Sequence, residues 1–341
     1  MQTWPQNGQS KLFFQEQRAR AMPQPFVQPT PGELQTIRDW LRFAVTSFTR
    51  AQLEFGHGTD NALDEAAFVI LSCLDLEPDS LETWLECRLT MAEGAAVSEF
   101  IARRIESRKP ASYLTNSAWI GKYKFYVDER VIVPRSFIGE LLCRDGLATV
   151  AGGEADVTKV LDLCTGSGCL AILAALAFPD AHVDAVDISP DALQVCRRNV
   201  TGYKLGERIT VHQGDLFDGL PKATYDLIIS NPPYVTAAAV KAFPPEYRAE
   251  PELAHLGGED GLDLVHRILG GARQWLSPQG TLVVEVGDGR ERLERARPQL
   301  PFLWLDTATS EGEVFALPAA GLDVKAGAPT RGQPTKSKPA R

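Results

Sequence analysis

The sequence predicts an α/β fold, a doubly wound parallel sheet of the Rossmann-like kind, preceded by a small helical bundle and joined to it by a hairpin. Three observations predict it. From about residue 158, apolar strand-like runs alternate with helical ones, as in a parallel sheet covered on both faces. One of those strands opens through a glycine loop into a helix. Ahead of them, Leu34, Ile37, Leu41, Ala44, Val45 and Phe48 recur at three- and four-residue steps, which is helical periodicity.

Composition bounds what such a chain can do. Of 341 residues, 44% are hydrophobic, enough for more than one core. A net charge of −9 argues against gripping nucleic acid by phosphate neutralisation, which needs a basic surface. There is no run of 18 apolar residues and no apolar signal core near the start, so neither a membrane span nor a secretion signal is expected. Cys73, Cys87, Cys143, Cys164, Cys169 and Cys196 show no CxxC spacing, and the histidines do not cluster. Reduced thiols in a cytoplasmic protein fit this pattern better than disulfides or a metal site.

Taken in order, residues 1–32 are rich in Gln and Pro and are expected to be a disordered extension. Residues 33–110 form the helical bundle. Its second helix starts at Asn61, whose side chain can cap it, with Asp64 and Glu65 at the positive helix start. A third starts at the Thr90–Glu93 capping box and must stop before Pro110. His57, among Gly56 and Gly58, is expected to be structural. Residues 111–135 supply the hairpin, with alternation over 119–127 and turn signals at Asn116 and Gly121. A helix over 136–148 then leads into the main domain, 136–318. Residues 319–341, where five basic residues face only Asp323, are expected to be a disordered basic tail.

The run Lys159 to Gly168 is a buried strand opening into the loop Cys164-Thr165-Gly166-Ser167-Gly168. Glycines serve where backbone approaches a ligand closely or takes positive φ. The next strand ends at Asp187, 19 residues after Gly168, followed by Ile188. A carboxylate there accepts from paired ribose hydroxyls. Ala171 stands in place of the third glycine of a dinucleotide fingerprint, after Leu170, and the chain downstream offers an amine-binding turn and no hydride-transfer apparatus. A third strand ends in Gly214-Asp215-Leu216, whose acid can accept from an adenine amine. Adenosine with a charged, non-phosphate tail, S-adenosylmethionine, fits this set. The competing reading of Asp162 and Asp187 is an ordinary strand-end cap.

The fourth strand, in Tyr225 to Ser230, stops at Asn231-Pro232-Pro233-Tyr234. The prolines cannot continue a ladder. They leave the Asn231 and Pro232 carbonyls as acceptors beside the Asn231 amide and the Tyr234 ring. A planar amine or amide suits that site, with two N–H groups for the acceptors and a π-face for the ring. The same residues could also simply end a strand in a rigid turn.

The ordered set Asp162-Leu-Cys-Thr-Gly-Ser-Gly, Val186-Asp-Ile-Ser, Gly214-Asp-Leu-Phe and Ser230-Asn-Pro-Pro-Tyr resembles the class I, Rossmann-like methyltransferases that modify glutamine amides in proteins. The resemblance spans about 33–317. It implies S-adenosylmethionine as methyl donor, no metal, and Asn231 and Pro232 holding the amide with Tyr234 beside it. Asn231 would also adjoin the cofactor. The helical bundle would then recognise the substrate. Release-factor enzymes of the family carry Pro-Arg-Pro-Glu-Thr-Glu after the hairpin, where this chain has Pro134-Arg135-Ser136-Phe137-Ile138-Gly139-Glu140. That difference, with Phe55 to Asn61 and Cys164, is similar to the branch acting on the third protein of the large ribosomal subunit, although Phe137 stands where that branch has Pro.

The resemblance thus implies a ribosomal-protein partner, met before or during ribosome assembly. Nucleic acid would be touched at most through the basic tail. The alternatives are a release-factor substrate, or an adenine amine in nucleic acid, which uses the same Asn-Pro-Pro-Tyr chemistry but needs a basic groove. A non-catalytic cofactor-binding assembly factor would not need an intact 231–234 turn. Pro244 to Gly261 could cover the substrate or only connect elements, and His255 within it is expected to be solvated.

Overall fold

A computed structural model describes residues 25–144, 146–150 and 157–323. Most of the expected N-terminal extension and of the basic tail therefore lies outside the described residues. The chain divides into two compact units. One comprises residues 1–119, 124–135 and 242–251, and the other 120–123, 136–241 and 252–341.

The first unit is helical. Helix α1 (Ile37–Arg50) starts at a capping box between Thr36 and Asp39 and buries Ile37, Trp40, Ala44 and Phe48 on one stripe. Helix α2 (Ala62–Cys73) is capped by Asn61, which accepts from the Leu63 and Asp64 N–H groups. After the short α3 (Leu81–Trp84), α4 (Met91–Ser107) begins at the expected Thr90–Glu93 box. It ends at Arg108 in left-handed geometry, two residues before Pro110. α5 (Ala111–Thr115) follows, and β1 (Ala118–Ile120) and β2 (Tyr123–Phe125) make the expected hairpin. Residues 25–32 of the expected extension are among those described. Phe26 packs edge-on against Phe43, with 5.9 Å between ring centroids, because an aromatic ring gains more buried against the bundle than in water.

This unit also holds Ala242–Pro251, so the residues grouping with the sheet do not run unbroken from 136 to 318. Two carboxylates tie that segment down. Glu246, fully buried, pairs with Arg108 at 2.7 Å and lies 3.8 Å from the buried Arg104, which in turn pairs with Glu65 at 2.8 Å. Glu250 takes both guanidinium nitrogens of Arg135 at 2.7 Å and the Val133 N–H at 2.8 Å, with His57 Nε2 at 3.6 Å. Buried charges survive only when paired in this way. His57 is accordingly buried and structural.

The second unit is built on a seven-stranded sheet of order β5-β4-β3-β6-β7-β9-β8. Its strands are β3 (Lys159–Leu163), β4 (His182–Asp187), β5 (Ile209–Gln213), β6 (Tyr225–Ser230), β7 (Leu276–Glu285), β8 (Leu303–Leu305) and β9 (Val314–Pro318). The first five are parallel, and β9 runs antiparallel to both β7 and β8. The helix expected over 136–148 is two, α6 (Phe137–Cys143) and α7 (Gly146–Val150). The covering helices are α8 (Cys169–Ala177), α9 (Pro190–Gly202), α10 (Ala237–Lys241), α11 (Asp263–Gly271) and α12 (Arg290–Ala296). The central strands bury mainly Val, Leu and Ile, such as Val160, Leu161, Val183, Leu227, Ile228 and Ile229, as strands covered on both faces do, with Asp162 the buried exception on β3. The first residues of the expected tail are structured. Ala319–Asp323 is a 3₁₀ turn with Ala319 and Gly321 buried, Ala319 in the apolar core and Gly321 close against Pro301. No helix among the described residues is long and apolar enough to cross a membrane.

Candidate functional site

The strand order reverses between β3 and β6, and the loops leaving the carboxyl ends of these strands meet there, where doubly wound sheets bind ligands. β3 leaves its last residue into Cys164, which has φ +60°, the left-handed region. A cysteine there costs roughly 1–2 kcal/mol that glycine would not. Thr165 then turns back. Its N–H donates to the Val186 carbonyl at 2.9 Å and its hydroxyl to Asp162 Oδ2 at 2.5 Å. Asp162 is wholly buried, so it braces the loop from beneath, and burial pushes its carboxyl up to about 7.

Gly166 and Gly168 have φ +54° and +80°. A Cβ on Gly168 would come 2.7 Å from Cys196 Sγ, so the loop sits directly on α9, whose Asn199 also donates to the Ser167 carbonyl at 2.9 Å. A Cβ on Gly166 would meet nothing within 4 Å, which leaves open space in front of the loop. Asp187 ends β4, accepting from the Gly166 N–H at 2.8 Å and the Ser189 N–H at 2.9 Å. Burial raises its carboxyl, against those two donors. Ile188 beside it is half exposed. Asp215, beyond β5, pairs with Arg267 of α11 at 2.9 Å, and Leu216 is left-handed with φ +57°. Burial raises the Cys164 thiol, so it stays protonated.

The other side of the rim is the turn after β6. Ser230 donates its hydroxyl to the Leu163 carbonyl at 2.8 Å, locking the ends of β6 and β3 together. Pro232 is buried, while Asn231, Pro233 and Tyr234 are partly so. Among the described residues the Asn231 carboxamide has no hydrogen-bond partner, so its polar atoms remain available.

Sequence reasoning missed what holds this turn. Val235 donates to the His255 carbonyl and accepts from the Gly257 N–H, both at 2.9 Å. Gly257 lies so close that a Cβ would be 2.7 Å from Tyr234 Cα and 2.8 Å from the Pro233 oxygen, and one on Gly261 would be 2.3 Å from the Tyr234 oxygen. His255 is buried here rather than solvated, because the segment packs against the turn. Tyr234 donates to Glu285 at 3.1 Å. Glu285 closes the apolar run Leu282-Val283-Val284 of β7, and an acid at the end of such a strand is the one signal that could have marked it.

A sheet of this order, with a glycine loop and acid on one side of its switch point and an Asn-Pro-Pro-Tyr turn on the other, defines a class I methyltransferase. Comparison with known proteins narrows the class. The family described as methyltransferase small domain matches residues 150–243. A ribosomal protein uL3 glutamine methyltransferase of Bradyrhizobium diazoefficiens is 53% identical over 90% of this chain and 97% of its own length. One from Burkholderia pseudomallei is 52% identical over 88% and 99%, and one from Neisseria meningitidis serogroup A is 55% identical over 84% and 93%. The chain belongs to the ribosomal protein uL3 glutamine methyltransferases.

Proposed function

We propose that the chain transfers a methyl group from S-adenosylmethionine to the side-chain amide nitrogen of a glutamine in ribosomal protein uL3. The observation that carries this reading is the clamped 231–234 turn, set beside the glycine loop at the switch point of the sheet. The residues present fit the cofactor. Asp187 offers a carboxylate for ribose hydroxyls, and the space before Gly166 admits a chain close to backbone. Ile188 offers an exposed apolar face beside Asp187, and Asp215 an acceptor for an amine. When bound, the sulfonium supplies an electrophilic methyl.

A glutamine amide nitrogen is a weak nucleophile, because its lone pair is delocalised into the carbonyl. The Asn231 side-chain oxygen and the Pro232 carbonyl accept its two N–H groups, which turns the nitrogen toward the methyl and favours charge growing on it. The Tyr234 ring packs along the substrate side chain. Orientation and preorganised acceptors supply the rate without a strong base, since the N-methylated cation is acidic enough to lose its proton afterwards.

The helical unit would recognise uL3, and the reaction would take place in the cytoplasm before or during ribosome assembly. Nucleic acid would be touched at most through the basic residues beyond 323.

The test pairs labelled methyl transfer to unmodified uL3 with a cofactor titration. Asn231→Ala should lose ~100-fold or more in rate, the usual effect of one preorganised partner, while binding cofactor almost normally. Transfer within a few fold of wild type would reduce the turn to a strand terminator.

A further inference from the structure

Tyr234 is held more firmly than a residue that only lines a site. Its hydroxyl donates to Glu285 Oε1 at 3.1 Å. Its ring lies against Gly287, which has φ +52° and where a Cβ would come 2.7 Å from Tyr234 Cε2. Glu285 is itself wholly buried, and its second oxygen accepts from the Ser136 hydroxyl at 2.7 Å and the Phe137 N–H at 2.9 Å. Burying a carboxylate is costly unless donors surround it. Here the donors come from the Ser136–Phe137 segment and from one residue of the amide-binding turn.

We propose that Glu285 is a positioning residue of the transfer step, holding the Tyr234 ring in place beside the Asn231 and Pro232 acceptors. The proposal rests on the amide-transfer reading above. Because Glu285 touches neither amide nor cofactor in that reading, it acts only through the phenol.

Its chemistry makes the role testable. Phe137 N–H can only donate, so in Glu285→Gln the new carbonyl must face Ser136 and Phe137 and the new NH₂ must face Tyr234. The tyrosine hydroxyl, now meeting a donor, has to turn its hydrogen away. Volume is kept and the tie is reversed. Tyr234→Phe removes the tie from the other end, at a partly exposed position where folding is not at risk.

Both single variants and the double variant are to be assayed for kcat, for the KM of cofactor, and for cofactor affinity. Each single variant should lose about tenfold in kcat with cofactor KM and affinity unchanged, and the double variant should be no slower than the worse single, because one bond is lost in all three. If Tyr234→Phe keeps the wild-type kcat, or if the two losses multiply, Glu285 is only a strut for the 136–137 segment and the proposal fails. Should Glu285→Gln fold poorly, Tyr234→Phe decides by itself. Failure of the wild-type chain to methylate uL3 would instead overturn the reading on which the proposal rests, so the two failures are distinct.

Discussion

The two sides of the sheet's carboxyl rim hold their loops by different means. On the β3–β5 side much of the bracing is local. Asp162 takes the Thr165 hydroxyl three residues on, and Asp187 takes the Ser189 N–H two residues on. Cys164 and Leu216 accept left-handed backbone to make the turns. On the β6–β7 side the turn is held by residues far along the chain, including a Tyr234–Glu285 bond spanning 51 positions and close glycines at 257, 261 and 287. A locally braced loop can be written as a motif. A turn clamped from a distance shows only its own residues.

If the two sides are separable, damage to one should spare the other. The largest effect is expected at Gly257→Ala. Its Cβ would meet the Pro233 and Tyr234 backbone at 2.8 and 2.7 Å, which cannot yield unless the turn moves. A displacement of that order costs ~100-fold in rate. Methyl transfer should fall by that much while calorimetric cofactor affinity stays within about twofold, and equal loss of both would show the sides to be one structure.

Asp187→Ala attacks the opposite side. Cofactor affinity should drop at least tenfold, or ~1.4 kcal/mol. An unchanged titration in a folded variant would remove Asp187 from the cofactor site.

Each side also holds one wholly buried acid, which makes stability depend on pH. Burial pushes both Asp162 and Glu285 up to about 7, above ordinary carboxylate values. The folded chain therefore keeps protons that the unfolded chain has already released. That advantage is complete below about pH 4 and is lost as pH rises through about 7, at roughly 1 kcal/mol or more per group. Urea midpoints should fall from pH 5 to pH 8, and Asp162→Asn and Glu285→Gln should each flatten part of the slope. A wild-type slope unaltered by either variant would place the titration elsewhere.

The smallest effect is expected at Cys164→Gly. Relief of left-handed strain and loss of a partly buried thiol oppose each other, so urea stability should change by less than ~1 kcal/mol. A loss above ~2 kcal/mol would mean that the thiol, not the backbone angle, is what the position needs.

The pattern of strands, the glycine loop, the caps at Asn61 and Thr90, and the Asn-Pro-Pro-Tyr turn were all legible, because each depends on neighbours in sequence. Glu246 and Glu250 were not. Their segment is rich in Pro and Glu and resembles a solvated loop, while Arg104, Arg108 and Arg135, which neutralise them, lie more than a hundred positions earlier. His255, Glu285 and the Ala319–Asp323 turn escaped for the same reason. Periodicity describes an element's own faces and says nothing of distant partners. The antiparallel β9 likewise carries the same apolar pattern it would have in a parallel pairing.

The Ala242–Pro251 segment bears on how the chain leaves the ribosome. The helical unit is synthesised first, yet it stays unfinished until roughly a hundred further residues have emerged. At 5–20 residues per second that is a wait of about 5–20 s. Through that interval Arg104, buried in the finished unit, has Glu65 but not Glu246. The N-terminal unit should thus stay open to proteases or chaperones until the turn-bearing strand has been made, and a nascent chain halted before residue 242 should show it digested more readily than the full-length protein.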